Sequence, residues 1–181
     1  MNTVLSSLKE FTNHKICVVI GCGGNRDVAK RSIIAKIATK YADKVIFTTD
    51  NPRDEEPMDI INQMINNLEY ANYEIILDRK EAIYKALNES RNDEVIAILG
   101  KGSENHQIIN GIYYPFKDKE VVYNWIYKIV YDLALFFEVI PIFFTIIFAV
   151  VVYEWICRQL GYNGLYHRER CNRGFLNERG V

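Results

Sequence analysis

The chain has 181 residues, of which 49% are hydrophobic and 25% are charged, and its formal net charge is −1. This composition excludes a disordered chain, and the length suffices for one well-packed domain with an appendage. The near-neutral charge gives no general attraction to nucleic acid, so local Arg and Lys side chains must bind any anion. Four scattered cysteines do not form a CxxC metal site, and they indicate reduced thiols in a cytosolic protein. They are Cys17, Cys22, Cys157 and Cys171.

Apolar runs predict four β-strands that alternate with helical patterns. Strands separated by helices of this length are typical of a parallel sheet with helices on both faces, so we predict a Rossmann-like α/β fold with a mostly parallel sheet. An Asn-Gly turn later in the chain predicts a β-hairpin, and Asp118 is predicted to be the N-cap of a terminal helix. The predicted strands are residues 16–20, 45–49, 73–77 and 94–99, the later helices 57–68 and 79–89, and the hairpin 107–114.

The character of the chain changes near residue 128. Residues 1–128 have the composition of a globular domain, residues 129–157 form an almost entirely apolar helical segment, and residues 158–181 form a basic tail. The apolar segment approaches the length of a bilayer span. The arginines after it belong in the cytoplasm by the positive-inside rule, and the globular domain before it should also be cytoplasmic. These two demands conflict for a single span. The alternatives are a membrane span, a re-entrant hairpin around Pro141, an interfacial helix, a non-native tail and a buried helix of the domain.

The turn Thr48–Arg53, called the central turn below, follows the second predicted strand. Open α/β sheets bind ligands at the carboxyl ends of their strands, which is where this turn lies. Pro52 restricts the backbone, so the amide of Asn51 and the guanidinium of Arg53 are presented in a limited geometry that suits a carboxylate. The alternative is an ordinary strand-to-helix turn with an exposed arginine.

A glycine-rich segment, Gly21–Asp27, joins the first strand to a helix and is called the glycine loop below. Its three glycines let a backbone approach a ligand closely, and the helix N-terminus attracts anions. The loop lacks both the GxxxxGK[ST] spacing and the full GxGxxG fingerprint. Within it we predict Arg26 to contact the ligand, whereas Arg31 is interpreted as a solvated helix residue.

A third loop, Gly100–Glu104, leaves the fourth strand and is called the β4 loop below. Lys101, like Arg26 and Arg53, can bind a carboxylate or phosphate, whereas Glu104 suits an ammonium group. This mixture of charges favours a small zwitterion, an amino acid, over a nucleotide. The sequence shows no Ser/His/Asp arrangement and no HExxH or EF-hand spacing, so nothing indicates a self-contained hydrolase or a metal site.

Four runs together carry a specific resemblance. The runs GCGGNRD, TTDNPRDEEP, DRKEAI and GKGSENHQIINGIYYPF occur in this order within residues 2–128. They resemble the C-terminal domain of Mur ligases, and most closely the MurE type, which adds the third amino acid to UDP-N-acetylmuramoyl-L-alanyl-D-glutamate. The resemblance implies an ATP-dependent amide ligase of peptidoglycan synthesis whose DNPR turn selects meso-diaminopimelate rather than lysine.

The resemblance also implies roles for individual residues. Asn51 and Arg53 would hold the distal amino acid end of the substrate, Arg26 its other carboxylate, and Gly100 with Glu104 the distal carboxylate and ammonium. No catalytic residue and no metal ligand is expected in this chain. Further candidates at the same loops are Asp50, Lys101 and Ser103, of which Ser103 stands where the family usually has histidine.

The family's central domain carries a phosphate loop, magnesium ligands and a carbamylated lysine, and this sequence contains none of them. We therefore expect ATP, Mg²⁺ and the UDP-muramoyl dipeptide to bind through a central domain, and this chain alone to bind no cofactor and to be inactive. The primary hypothesis is a fragment or split subunit of a cytoplasmic, meso-diaminopimelate-adding ligase. The alternative is a non-catalytic amino-acid-binding module, or one associated with the membrane through residues 129–157. No nucleic acid partner is expected.

Overall fold

The computed structural model describes residues 1–91 and 93–159, and most of the predicted basic tail lies outside them. The chain divides into two units between Tyr127 and Lys128. The first unit contains a four-stranded parallel sheet in the order β3-β2-β1-β4, flanked by helices, and a separate two-stranded hairpin. This confirms the predicted α/β fold. The strands are β1 Lys15–Ile20, β2 Lys44–Phe47, β3 Tyr73–Ile75, β4 Glu94–Leu99, β5 His106–Ile109 and β6 Ile112–Pro115; the helices are α1 Asn2–Phe11, α2 Ala29–Tyr41, α3 Pro57–Ile65, α4 Arg79–Glu89 and α5 Asp118–Gln159.

The side chains of strand β1 are buried on both faces of the sheet, as expected for a continuous apolar run in a parallel sheet. This strand therefore contributes to the core on both sides. Val18 and its alternate neighbours pack into a cluster with residues of α1, α2 and α3. Val19 and Cys17 pack on the opposite face against α4 and Val121, which lies near the start of α5. The sheet is therefore covered on both sides within the first unit.

The register brings three strand ends to one level. Ile20, the last residue of β1, pairs with Phe47 of β2 and with Leu99 of β4. The chain passes from β1 to β2 and β3 on one side of the sheet and then crosses to β4 on the other. The strand order reverses between β1 and β4, and such a switch point opens a crevice at the carboxyl ends of the strands. Strands β2 and β3 each end two residues before their predicted limits, and α3 ends three residues early.

Helix α5 corrects two expectations. It begins at Asp118 itself, so this residue lies in the first turn instead of acting as the N-cap, and its carboxylate accepts hydrogen bonds from Arg79. Pro141 lies inside a continuous helix, which shows that the re-entrant hairpin was wrong. Within the second unit, apolar side chains such as Phe144 (69% exposed) are largely exposed.

Candidate functional site

Three loops leave the level ends of β1, β2 and β4 side by side: the glycine loop, the central turn and the β4 loop. The central turn is hydrogen-bonded directly to both of the other loops. The structure therefore brings together the three segments that carry the predicted site residues. The two junctions that hold them differ in chemistry.

The junction between the glycine loop and the central turn is made largely of backbone. The Gly24 N–H donates to the carbonyl of Asn51 at 2.8 Å, and Nη1 of Arg53 donates to the carbonyl of Gly24 at 2.6 Å. A Cβ at Gly24 would lie 1.8 Å from the carbonyl oxygen of Pro52, and one at Gly21 would lie 2.2 Å from that of Thr48. Both glycines are therefore required for packing against the turn, whereas the sequence suggested close approach to a ligand.

Arg31 strengthens the same junction, and its interpretation as a solvated residue was wrong. Its side chain is 1% exposed, and its two Nη atoms donate to the carboxylate of Glu55 at 2.7 and 2.8 Å. The guanidinium also donates to Gln63 and to the carbonyl of Gly23. The hydrogen bond from Arg31 and one from the Asn25 N–H lower the pKa of Glu55 to about 2. This ion pair fixes the base of the glycine loop.

Arg26 lies at the exposed side of the glycine loop, where it lines a cleft of about 300 Å³. Gly100 and Asp50 line the same cleft, which therefore opens at the switch point between β1 and β4. Cys22 also lines it, but burial raises the pKa of this thiol to about 11, so it stays protonated and is a poor nucleophile. The cleft thus offers cationic side chains and no activated nucleophile.

The junction between the central turn and the β4 loop is made of side chains. Asn51 is buried, and its Nδ2 donates to Oε2 of Glu104 at 2.7 Å. Its Oδ1 accepts from Nζ of Lys101 at 2.9 Å and from the N–H of Ile108 at 3.0 Å. The hairpin is bonded to the same turn, because the Arg53 N–H donates to the carbonyl of Ile108.

Lys101 differs from the other two predicted cations because its side chain is 0% exposed. Besides Asn51, its ammonium lies 3.4 Å from Oδ1 of Asp50 and 3.5 Å from Oε2 of Glu104. Burial raises the pKa of Asp50, and the charges of Lys101 and Arg79 oppose that rise. Lys101 is therefore directed at protein oxygens.

Glu104 and Arg53 are less buried than Lys101. Burial works to raise the pKa of Glu104, but the Asn51 hydrogen bond and the Lys101 ammonium outweigh it, so that pKa lies below its ordinary value. The Glu104 side chain is 45% exposed, so it presents an ionised carboxylate. Arg53 is half-buried, has a φ of +53°, and uses Nη1 on Gly24. Ser103, which precedes Glu104 in the sequence, is exposed.

Comparison with known proteins identifies the family of this chain. Residues 1–102 match the sequence model of the family described as "Mur ligase, glutamate ligase domain". The chain belongs to the Mur ligase family. The match covers the four-stranded sheet, the junction between the glycine loop and the central turn, and the β4 loop as far as Gly102. It also confirms the family that the four sequence runs indicated.

Two similar proteins and one solved structure carry the same name. A protein of Bacillus cereus named UDP-N-acetylmuramoyl-L-alanyl-D-glutamate–2,6-diaminopimelate ligase is 45% identical over 121 residues, which are 67% of this chain and 25% of that protein. One of the same name from Clostridium perfringens is 46% identical over 124 residues, 68% of this chain and 26% of that protein. A solved structure of a ligase with that name has a TM-score of 0.66 at 36% identity, and the match covers 69% of this chain and 26% of that one. This chain spans about a quarter of the length of these relatives.

Sequence reasoning missed two structural residues of this Mur ligase site. Gln107 donates through Nε2 to the carbonyl of Asp50 at 2.6 Å. Arg79 is buried, and its Nε and Nη2 donate to the two oxygens of Asp118 at 2.8 Å, while Nη2 also reaches the carbonyl of Leu99. Arg79 lies in the run DRKEAI, so the resemblance marked the position, but no local pattern indicated its partner 39 residues later.

Proposed function

We propose that the first unit of this chain binds meso-diaminopimelate as the amino acid substrate of an ATP-dependent ligase, which adds it to UDP-N-acetylmuramoyl-L-alanyl-D-glutamate in peptidoglycan synthesis. One observation carries the proposal: the central turn bears both Asn51, which bonds to the ionised Glu104 carboxylate at 2.7 Å, and Arg53, whose Nη1 bonds to the carbonyl of Gly24. A cation and an anion held by the same turn complement the carboxylate and ammonium of an amino acid.

The proposed selectivity rests on the second carboxylate of the ligand. The distal end of meso-diaminopimelate carries a carboxylate and an ammonium, whereas lysine carries only the ammonium there. A guanidinium fork at Arg53 therefore distinguishes the two ligands, and Glu104 binds the ammonium that both possess. In this proposal Arg26, which is exposed on the glycine loop, holds the other carboxylate. The relatives' names, which specify 2,6-diaminopimelate, support this ligand.

ATP supplies the energy for amide formation in this family, but the residues of this chain do not fit ATP or magnesium. The sequence has no GxxxxGK[ST] loop, and residues 1–91 and 93–159 contain no group of three His, Cys, Asp or Glu side chains that could hold a metal ion. In this proposal a central ligase domain binds ATP, Mg²⁺ and the UDP-muramoyl dipeptide. This chain contributes the binding and orientation of the incoming amine, and by itself it is inactive.

The test is selectivity, measured by calorimetric titration of meso-diaminopimelate and L-lysine into the full chain in a mild detergent. Arg53→Ala leaves the distal carboxylate desolvated without its partner, which should cost about 2–4 kcal/mol, or roughly 30- to 1,000-fold in affinity. Lysine binding should change far less, so the ratio of the two affinities should collapse. Arg53→Lys should recover only part of the loss, because an ammonium keeps the charge without the bidentate geometry.

The matched control is Arg91→Ala, since Arg91 lines a different cleft at the amino ends of the strands. This variant should bind both ligands as the unchanged chain does. Equal losses for meso-diaminopimelate and lysine in Arg53→Ala would mean that Arg53 only supports the turn through Gly24, and the proposed ligand assignment would fall.

Helix α5 supports a second candidate function, attachment to the cytoplasmic face of a membrane. An 18-residue window within Asp118–Ile156 has a mean hydropathy of 2.7, so this helix is long and apolar enough to cross a bilayer by length and composition. After expression and cell lysis, the full chain should remain in the membrane fraction through high-salt and alkaline washes. Release by high salt alone would contradict insertion.

A further inference from the structure

The buried ammonium of Lys101 touches both side chains of the hydrogen bond that joins the central turn to the β4 loop. Its three oxygen partners are Asp50 and Asn51 of the central turn and Glu104 of the β4 loop, at 3.4, 2.9 and 3.5 Å. The φ angles of Gly100 (+110°) and Gly102 (+58°) lie in the region that favours glycine. The backbone on both sides of Lys101 is thus built to direct this side chain inward.

We propose that Lys101 is a positioning residue that holds Asn51 and Glu104 in the arrangement that receives the distal end of the amino acid. The inference rests on the proposed function, because it assigns Lys101 to the selectivity of that same site. Lys101 does not itself contact the ligand. It acts through the amide of Asn51 and through the charge of Glu104.

The first part of the argument concerns the orientation of the Asn51 amide. Lys101 Nζ and the Ile108 N–H are both donors, and both point at the same side-chain atom of Asn51. Only the amide oxygen can accept from them, so the NH₂ group must face Glu104. Without Lys101, one of the two donors that fix this orientation is lost. The hydrogen bond from Asn51 to Glu104 is then no longer enforced.

The second part concerns charge. Three oxygens, two of them from carboxylates, surround an ammonium that carries three donors. An apolar side chain of similar length would leave the buried carboxylate of Asp50 without this cation, and a neutral amide would supply donors without charge. The ionisable groups that act on Glu104 are Lys101 and His106, and Glu104 in turn acts on Asp50. Removing Lys101 therefore favours protonation of both carboxylates.

The experiment compares the full chain, Lys101→Met and the control Lys85→Met, all in the same detergent. Lys85 is a half-exposed lysine on α4 that pairs with Glu89, so its substitution removes an ammonium away from the three loops. Lys101→Met should lower meso-diaminopimelate affinity by at least about tenfold, reduce the preference over lysine, and move the acid limit of binding to higher pH. Lys85→Met should change none of these.

A measurement without ligand separates this inference from the proposed function. Carbon-detected NMR titration of the Glu104 carboxyl should show its pKa rising in Lys101→Met and staying unchanged in Lys85→Met. If the unchanged chain binds no meso-diaminopimelate, the proposed function fails while this titration still tests the link between Lys101 and Glu104. An unchanged Glu104 pKa, or binding in Lys101→Met with full affinity and selectivity, would overturn the positioning role.

The buried Asp50 could prevent Lys101→Met from folding, so a second variant removes both charges. Asp50→Asn with Lys101→Met leaves no buried unpaired carboxylate, while Glu104 still lacks the ammonium. The double variant should melt cooperatively, show the raised Glu104 pKa, and still discriminate poorly between meso-diaminopimelate and lysine. Restored selectivity in this variant would show that Lys101 serves only to neutralise Asp50, and the proposal would be wrong.

Discussion

Residues 1–127 bury a core of apolar side chains, whereas the apolar part of α5 exposes its apolar side chains. In the first unit, strands β1 and β2 are buried, and the largest fully buried side chains include two arginines, Arg31 and Arg79. In the described part of the second unit, apolar residues such as Phe143 and Phe148 are largely exposed. The first unit covers its own apolar surface and can even bury charges, whereas the α5 segment needs lipid or protein to cover it.

The buried charges of the first unit are tolerated because each has a specific partner. Arg31 pairs with Glu55, Arg79 with Asp118, and Lys101 with Asp50, and all three pairs connect segments distant in the sequence. All three cations also hold the loops at the carboxyl ends of the strands. A cation buried without its carboxylate would cost several kcal/mol, so these pairs determine one arrangement of the site.

Removing the apolar segment should have the largest of the expected effects, because it changes the solubility of the chain. We expect a chain truncated from Ile129 onward to be soluble without detergent and to unfold in one cooperative transition, because the core clusters lie within the first unit. The full chain should require detergent. Analytical ultracentrifugation and thermal unfolding measure both properties. Aggregation of the truncated chain, with the full chain soluble in plain buffer, would mean that the segment belongs to the core.

The next largest effect should come from a buried charge pair at the start of α5. Arg79→Met leaves the Asp118 carboxylate unpaired, and the free energy of unfolding should fall by about 3–5 kcal/mol. Lys117→Met breaks the neighbouring exposed pair with Glu120 and should cost less than about 1 kcal/mol. Urea unfolding of the truncated chain measures both values. Similar losses in the two variants would contradict the distinction between buried and exposed charges.

Local sequence patterns predicted the fold well, since strand and helix signals depend on neighbouring residues. The Asn110-Gly111 turn is an example: both residues have positive φ, as the hairpin requires. The convergence of three loops also followed from the parallel arrangement. The burial of Arg31 and Lys101 did not follow, because Arg31 pairs with Glu55, 24 residues away, and Lys101 bonds to Asp50 and Asn51, 51 and 50 residues away. No local pattern indicates contacts at these separations. The ligand contacts of Arg26, Arg53 and Glu104 stay predictions.

The smallest expected effect concerns acid stability and compares two carboxylates whose pKa values are lowered by hydrogen bonds. Arg31 and the Asn25 N–H lower the pKa of Glu55 to about 2, and the half-exposed Lys44 and Lys85 lower the pKa of Glu89 below its ordinary value. Because these pKa values are lower in the folded state, each group stabilises the fold above pH 4.5, and the contribution is lost as the pH falls toward 2. Glu55 is 29% exposed and pairs with the buried Arg31, whereas Glu89 is 47% exposed and pairs with half-exposed lysines.

Burial of the partner should therefore decide how much acid stability each carboxylate provides. Glu55→Gln should remove about 2 kcal/mol of the stability difference between pH 6 and pH 2.5, because the Arg31 pair is shielded from solvent. Glu89→Gln should remove less than about 0.5 kcal/mol, because water and salt screen its exposed lysine partners. Urea unfolding of the truncated chain at both pH values, with and without 0.5 M salt, measures these differences. If Glu89→Gln flattened the pH dependence as much as Glu55→Gln, exposed pairs would matter as much as buried ones, and the contrast between them would fail.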